Sequence, residues 1–455
     1  MCKLKQYLLP LLARLAQKQV RDNLKKLIEK MVAKGGSNLY SLYENKSEYV
    51  NVCRMLSGDL KTVVDTDKLN ISLLQNAIPF FKGKKVVSIV HDCSPIRKPE
   101  SRVLDGLGKV QSLDNTVVNG YNTFATIAVD VGGREVRLLA CTPFSNGVDS
   151  YVSKEERKAY ETGQIKDPQR RAAIAAYDAS GESHHQKDIV FAQVRLVSAH
   201  IKSIDPDISV VDIFDRGFDD VELFELETAL GHDFIIRCKA SRNSNEMYID
   251  EKGIERCLKL KNQRFWKGDE VMYDRISFKK RTYKNVKGVF EWNTVEINGN
   301  IYSVLRVTFY QSNGKKIFSD DMLLLTSLTI TGLEMAKLIW EMYMQRMAIE
   351  SVFKFCKDEL QWEAPRVNDW LTMKHLLSLV YFVAGYFYEI KDDLVQDEGI
   401  QWLAKIANGK GKVSPHFILK GIAMLIAYIE IKKLIDEGAI TEEHILYAES
   451  IFMSG

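Results

Sequence analysis

The chain has 455 residues, 46% of them hydrophobic, enough to build more than one packed core and to set a prior of about two to four domains. Formal net charge is only +3, so affinity for a polyanion must come from local basic patches. Seven cysteines without a C-x2-C pair argue against a disulfide framework or a zinc site, and the apolar stretches at 376–387 and 418–429 are too short or too interrupted by charge to span a bilayer.

Residues 1–80 read as helical and polar. Before Gly35-Gly36, nine lysines and arginines stand against Asp22 and Glu29, a net +7 suited to phosphate contact, although a solvated helix face would use the same lysines. The apolar run 7–13 is followed by Arg14, Lys18 and Arg21 with no cleavage-like segment, so a cytoplasmic protein is expected. Residues 84–92 read as a short buried strand, with Asp92 at its end before Cys93-Ser94-Pro95. Residues 122–130 and 135–141 form a predicted hairpin across Val131-Gly132-Gly133-Arg134, and helical patterns follow at 154–160 and 188–204. Ser183-His184-His185 has no partners at ligand spacing. A second buried strand begins at Ile208 and ends in Asp215-Arg216-Gly217-Phe218-Asp219. Asp215 is its candidate carboxylate, whereas Asp212, inside the apolar run, suits a hydrogen-bonded structural role.

Between 231 and 326 the pattern is mostly β, with Asn298-Gly299 and Asn313-Gly314 as hairpin turns. Lys279, Lys280, Arg281 and Lys284, together with Trp266 and Trp292, mix cations with aromatics as a DNA-contacting surface does; the tryptophans would serve equally as a small core. Tyr343, Arg346, Glu350 and Lys357 then recur at spacings of three, four and seven. On one helix, at about 100° per residue, they share an arc of roughly 60°. Met342, Ile349, Val352, Phe353, Cys356 and Leu360 fill the adjoining arc, so the polar stripe borders the core as a cleft wall would. Helical patterns at 374–389 and 417–436 follow, separated by Gly409-Lys410-Gly411-Lys412.

In this order, Asp92, the Asp-Arg-Gly-Phe-Asp of Asp215 and the motif Y-x2-R-x3-E-x6-K resemble the signature of the DDE transposases of the insertion sequence four family. The resemblance implies an α/β fold: an RNase H-like mixed-sheet catalytic core interrupted by a β-rich insertion, with helical N- and C-terminal regions. It divides the chain into a DNA-binding region (1–80), a first core part (81–230), the insertion (231–326), a second core part with the Y-R-E-K helix (327–390) and a dimerisation or DNA-contact region (391–455). Asp92, Asp215 and Glu350 would be the catalytic carboxylates and the ligands of two Mg2+ ions, with Mn2+ as a substitute. Hard cations with oxygen ligands polarise a phosphodiester and clamp the attacking and leaving oxygens in line.

Tyr343, Arg346 and Lys357 would hold DNA phosphates, with Arg216 adding a contact and Lys279, Lys280, Arg281 and Lys284 extending the surface. Met322 stands where relatives carry a base-stacking tryptophan, and Arg346-Met347 where they often have Arg followed by Trp. The partners implied are transposon ends and target DNA, and a second copy of the chain on paired ends, without a membrane. The protein would be cytoplasmic and nucleoid-associated through DNA. Two alternatives use the same residues: an inactive or domesticated end-binding protein, and a metal-dependent nuclease without strand transfer.

Overall fold

In the computed structural model, all residues are described except 1–2, 59–62, 113, 149–150, 181–184, 240, 279–280, 319–320, 394–397, 409–412 and 453–455. The N-terminal part is helical: α1 (Lys3–Leu12), α2 (Lys18–Lys34), α3 (Leu39–Leu42), α4 (Lys46–Ser57), α5 (Thr66–Asn76) and α6 (Ile78–Phe81). Strands β1 (Val86–Arg97), β2 (Gly108–Gln111), β3 (Val117–Val129) and β4 (Val136–Phe144) follow, then helices α7 (Lys154–Glu161), α8 (Pro168–Ser180) and α9 (Gln186–Ile204). Next come β5 (Ser209–Phe214), α10 (Val221–Leu230) and β6 (Asp233–Arg237). The β-rich stretch holds β7 (Asn243–Ile249), β8 (Glu255–Lys259), β9 (Trp266–Phe278), β10 (Arg281–Ile297), β11 (Asn300–Tyr310) and β12 (Met322–Thr326). Helices α11 (Leu333–Met344), α12 (Met347–Asp358), α13 (Trp370–Asp393), α14 (Glu398–Asn408), α15 (Pro415–Asp436) and α16 (Glu442–Phe452) complete it.

One mixed sheet organises the molecule, in the order β2-β3-β1-β5-β6-β12-β11-β10-β9, with β4 also on β3. β1, β5 and β6 run parallel at its centre; β3 and β12 flank them antiparallel. This is the RNase H-like α/β core expected from the sequence, with helical regions at both ends. The expected β-rich stretch exists, and its strands β9 to β12 prolong the central sheet through β12 and β6, while β7 and β8 form a separate pair. The Asn298-Gly299 turn between β10 and β11 has φ of 51° and 77°, the positive values a two-residue hairpin needs.

Side-chain alternation divides the sheet into two faces. Val90, Ile213 and Ile235 join the core that includes α11, α12 and α13, whereas Val87, Ile89, Phe214 and Phe234 pack in the cores that include α9 and α10. No helix among the described residues is long and apolar enough to cross a membrane.

Two sequence expectations need correction. β1 does not stop at Asp92 but continues to Arg97. Pro95 is tolerated because main-chain pairing with β5 ends at Val90 opposite Ile213, so past that point one edge of β1 is free of a strand partner. The Pro95 carbonyl on that edge accepts instead from Lys357 Nζ at 2.8 Å. Residues 343–357 are also not one regular helix. Gln345 and Arg346 bond back three residues, to Met342 and Tyr343, which tightens the chain into a 3-10 turn between α11 and α12.

Candidate functional site

The vacated edge of β1 places Asp92 where β5 has already ended. Asp215 follows the last residue of β5 directly, and each aspartate lies two residues beyond the final β1–β5 pair. Alternation turns both toward the face that α11 and α12 cover. The 3-10 turn sets Arg346 just ahead of α12 and Glu350 in its first turn, where a carboxylate is favoured by the helix dipole. Arg346 Nη1 donates to Asp92 Oδ2 at 3.0 Å and Nη2 to Glu350 Oε1 at 2.5 Å, so one guanidinium bridges two of the three carboxylates. Tyr343 donates its hydroxyl to Asp215 Oδ1 at 3.3 Å. The fold thus gathers Asp92, Asp215, Glu350, Tyr343 and Arg346, from three distant segments, into one cluster.

The electrostatics follow from that arrangement. Burial above all pushes the Asp92 carboxyl up to about 7; Asp215 and Glu350 add to the rise, against Arg346 and the Cys93 N–H that donates to it. Arg346 is held more firmly charged than usual, because the surrounding Asp92, Asp215 and Glu350 outweigh the effect of its burial. The site is therefore a pocket of negative potential filled by a cationic side chain.

Lys357 lies further along. Besides the Pro95 carbonyl, it approaches Glu363 Oε1 at 3.6 Å, and Arg97 grips the Glu363 carboxylate with two bonds of 2.9 Å. Pro95, Arg97, Gln111, Ser112, Asn115, Asn122 and Lys357 line an open groove of about 450 Å³ that extends from Lys357 across β1 to β3 and the β2–β3 turn. Arg97 and Glu363 carried no motif in the sequence, and only the extension of β1 past Pro95 brings Arg97 to this groove.

On the opposite face of the same strands lies a second polar cluster that sequence reading largely missed. His91 Nε2 meets Asp212 Oδ1 at 2.7 Å, and His232 Nδ1 meets Asp212 Oδ2 at 2.6 Å; all three residues are buried. The hydrogen-bonded role expected of Asp212 is thus the one it has. Its carboxyl is held below the usual range, since the two histidines outweigh burial. Glu227, fully buried, has no hydrogen-bond partner on either oxygen, and burial raises it well above the ordinary value, with nearby Asp212 adding to the effect.

Among the described residues, Asp212, Glu227 and His232 are the one group of three whose potential ligand atoms lie within 4.8 Å of one another. Around a tetrahedral zinc with bonds of about 2.0–2.1 Å, however, ligand atoms stand roughly 3.3 Å apart. At 2.6 Å, Asp212 and His232 share a proton instead. Asp92, Asp215 and Glu350 stand further apart, with the guanidinium among them.

The remaining predicted residues are spread out. Arg216 is exposed in the 3-10 turn Arg216–Phe218, immediately after Asp215. Met322 opens β12 and packs partly buried against the main core. Arg281 and Lys284 are exposed on β10, paired with Phe278 and Arg275 of β9, whereas Lys279 and Lys280 lie outside the described residues. Trp266 is 72% exposed, while its cross-strand neighbour Trp292 packs against the core. Ser183 and His184 also lie outside the described residues; His185 precedes α9 as its N-cap.

A sequence model of the family described as "Transposase DDE domain" matches residues 151–385, just over half of the chain. The matched span contains Asp215, Tyr343, Arg346, Glu350 and Lys357 and begins after Asp92. No curated protein matches the chain.

Proposed function

The chain belongs to the transposase DDE-domain family, and on that premise we propose that it is a cut-and-paste DNA transposase of the insertion sequence four type, with Y-R-E-K signature residues Tyr343, Arg346, Glu350 and Lys357. The observation that carries this reading is the bridging of Asp92 and Glu350 by Arg346, beside Asp215 held by Tyr343. Three carboxylates with oxygen donors only suit a hard cation such as Mg2+ or Mn2+, and a guanidinium between two of them supplies the positive charge their spacing calls for. Two such ions, held by Asp92, Asp215 and Glu350, would polarise the scissile phosphodiester and acidify the attacking water.

The chain's own residues supply binding and orientation. Arg346 and Lys357 hold phosphates by charge and Tyr343 by its hydroxyl, with Arg216 at the rim of the site. Water attack at the phosphorus breaks the bond to O3′ and leaves a 3′-OH on the element end. That hydroxyl attacks the opposite strand to close a hairpin and release the flanking DNA; hydrolysis reopens the hairpin, and the freed 3′-OH attacks target DNA. The basic α1–α2 region, the β9–β10 hairpin with Arg281 and Lys284, and the C-terminal helices are assigned to end binding and to pairing two copies on two ends. Such a protein works in the cytoplasm, on the nucleoid.

Asp92→Ala, Asp215→Ala and Glu350→Ala should each abolish Mg2+-dependent strand cleavage while retaining binding to the element end, because the phosphate contacts lie on other residues. Gel-shift and cleavage assays on one end-containing duplex check this. Normal cleavage by any of the three removes that residue from the set.

A further inference from the structure

The main-chain bonds between β1 and β5 run out at Val90 and Ile213, so the two aspartates of the candidate site lie past the last bond between these strands, with Asp92 paired on its other side to Ala125 of β3. No main-chain bond between β1 and β5 ties the two aspartates together there. On the other face, the first residue past the last pair is His91, and its bond to Asp212 joins β1 to β5 through side chains where the ladder stops.

The ring of His91 is fixed from every side. It stacks on Phe214 at 4.6 Å and 8° and faces Phe124 at 5.7 Å and 5°. Its Nδ1 lies 2.9 Å from Thr126 Oγ1 on β3. Gln193 of α9 donates to that same hydroxyl oxygen at 2.7 Å, and its own amide orientation is set by Thr142, whose hydroxyl donates to Oε1 at 2.6 Å. Since a carboxylate can only accept, Nε2–H donates to Asp212. Asp212 is held equally on its other oxygen by His232, whose Nε2 meets Ser198 of α9 at 2.8 Å.

A buried charge network of this kind adds little stability over an apolar core of the same shape. What it adds is geometry. Carboxylates that share metal ions must be held to about half an ångström, and this network lies directly behind the two that the cleft presents.

We propose that Asp212, with His91 and His232, is a positioning clamp that fixes the separation of Asp92 and Asp215 and so sets the affinity of the site for its divalent ions. The proposal rests on the reading of Asp92, Asp215 and Glu350 as the metal ligands.

The test is direct Mn2+ binding to the purified full chain by calorimetry, with thermal unfolding of each variant alongside. Asp212→Asn keeps the volume, and His91→Phe keeps the aromatic stack and leaves Asp212 paired with His232, so the two variants disturb the core in different ways. Each should weaken Mn2+ binding about tenfold or more, as removal of outer-shell partners does, at temperatures where the variant is fully folded. Ser198→Ala, one step further from Asp212, should bind Mn2+ like the wild type. If binding is lost in Asp92→Ala but unchanged in both Asp212→Asn and His91→Phe, the clamp is wrong and the carboxylate reading stands. If Asp92→Ala and Asp215→Ala bind Mn2+ as the wild type does, the carboxylate reading fails and the clamp falls with it.

Discussion

Where their pairing ends, β1 and β5 place His91 and Asp212 on one face of the sheet and Asp92 and the adjoining Asp215 on the other, and the two faces treat them in opposite ways. Toward α11 and α12, Asp92 and Asp215 meet a guanidinium and a phenol beside an open groove. Toward α9 and α10, His91 and Asp212 are sealed among Phe124, Phe214, Gln193 and His232. Polar residues one to three positions apart become a carboxylate cluster around a guanidinium on one face and a closed hydrogen-bonded network on the other. What differs is the set of partners. Asp92 is raised by burial and by the like charges of Asp215 and Glu350 in spite of Arg346, whereas the sealed Asp212 is held below the usual range by two histidines.

Deleting one carboxylate from each face should have the largest and most unequal effects. Asp212→Ala leaves His91 and His232 facing an empty polar site and should lower unfolding free energy by about 3–5 kcal/mol, the usual result of removing one partner of a buried pair. Asp92→Ala should cost far less, or stabilise, in metal-free buffer, because burial and the neighbouring Asp215 and Glu350 already oppose the charged carboxylate there. Urea unfolding of both variants at pH 7 measures the difference, and equal losses would mean that the two faces are not energetically distinct.

Much of the open face was legible in the sequence. Apolar strands with a terminal aspartate and a polar stripe at helical spacing mark Asp92, Asp215 and Glu350 as a set, and the fold brings them to one cluster. The path of β1 was harder to read, because Cys93-Ser94-Pro95 looks like a strand end when β5 is out of view. The 3-10 turn at Gln345 and Arg346 is invisible to periodicity, since both residues keep right-handed helical dihedrals. The sealed face was nearly illegible. Glu227 sits on an ordinary helix and His232 after a Gly231 cap, and no spacing announces that they meet Asp212. The available signal was the pair of polar residues, His91 and Asp212, within strands otherwise apolar enough to be buried on both sides.

A smaller effect separates the faces by pH. Asp92 titrates at about 7 in the folded chain against 3.8 for a free carboxyl, so its contribution to stability is fully present below about pH 4 and is lost as pH rises through 7. Burial opposes the charged form of His232, but the bond it donates to Asp212 and the nearness of Glu227 raise it to about 9 from 6.5. Its contribution is present below about pH 6.5 and is lost as pH rises through 9. Metal-free protein should therefore lose melting temperature in two windows. Asp92→Asn should remove the first and His232→Gln the second, and saturating Mg2+ should erase the first alone, because only the open face can admit the ion. A thermal melt series from pH 4 to 10 resolves them; loss of both windows on adding Mg2+ would contradict the separation.

The smallest expected effect concerns the cations of the open face, which should act on a bound ligand and hardly on the fold. Arg346 is tied to Asp92 and Glu350, and Lys357 to the Pro95 carbonyl, in contacts that a bound phosphodiester can replace. Each phosphate contact removed lowers the steepness of salt dependence by roughly one unit of slope. Arg346→Ala and Lys357→Ala should each show that decrease when end-DNA affinity is measured across a salt series, with unfolding free energy nearly unchanged. Lys354, exposed on α12 and turned about 60° away from Lys357 at 100° per residue, is the internal control, and Lys354→Ala should leave the slope as it was. A partly exposed salt bridge contributes at most about 1 kcal/mol to stability, so a purely structural Arg346–Glu350 pair would show a small stability loss with the wild-type slope. A changed slope at constant stability marks a side chain held ready for a polyanion, the property that His91 and His232, sealed behind the same two strands, cannot have.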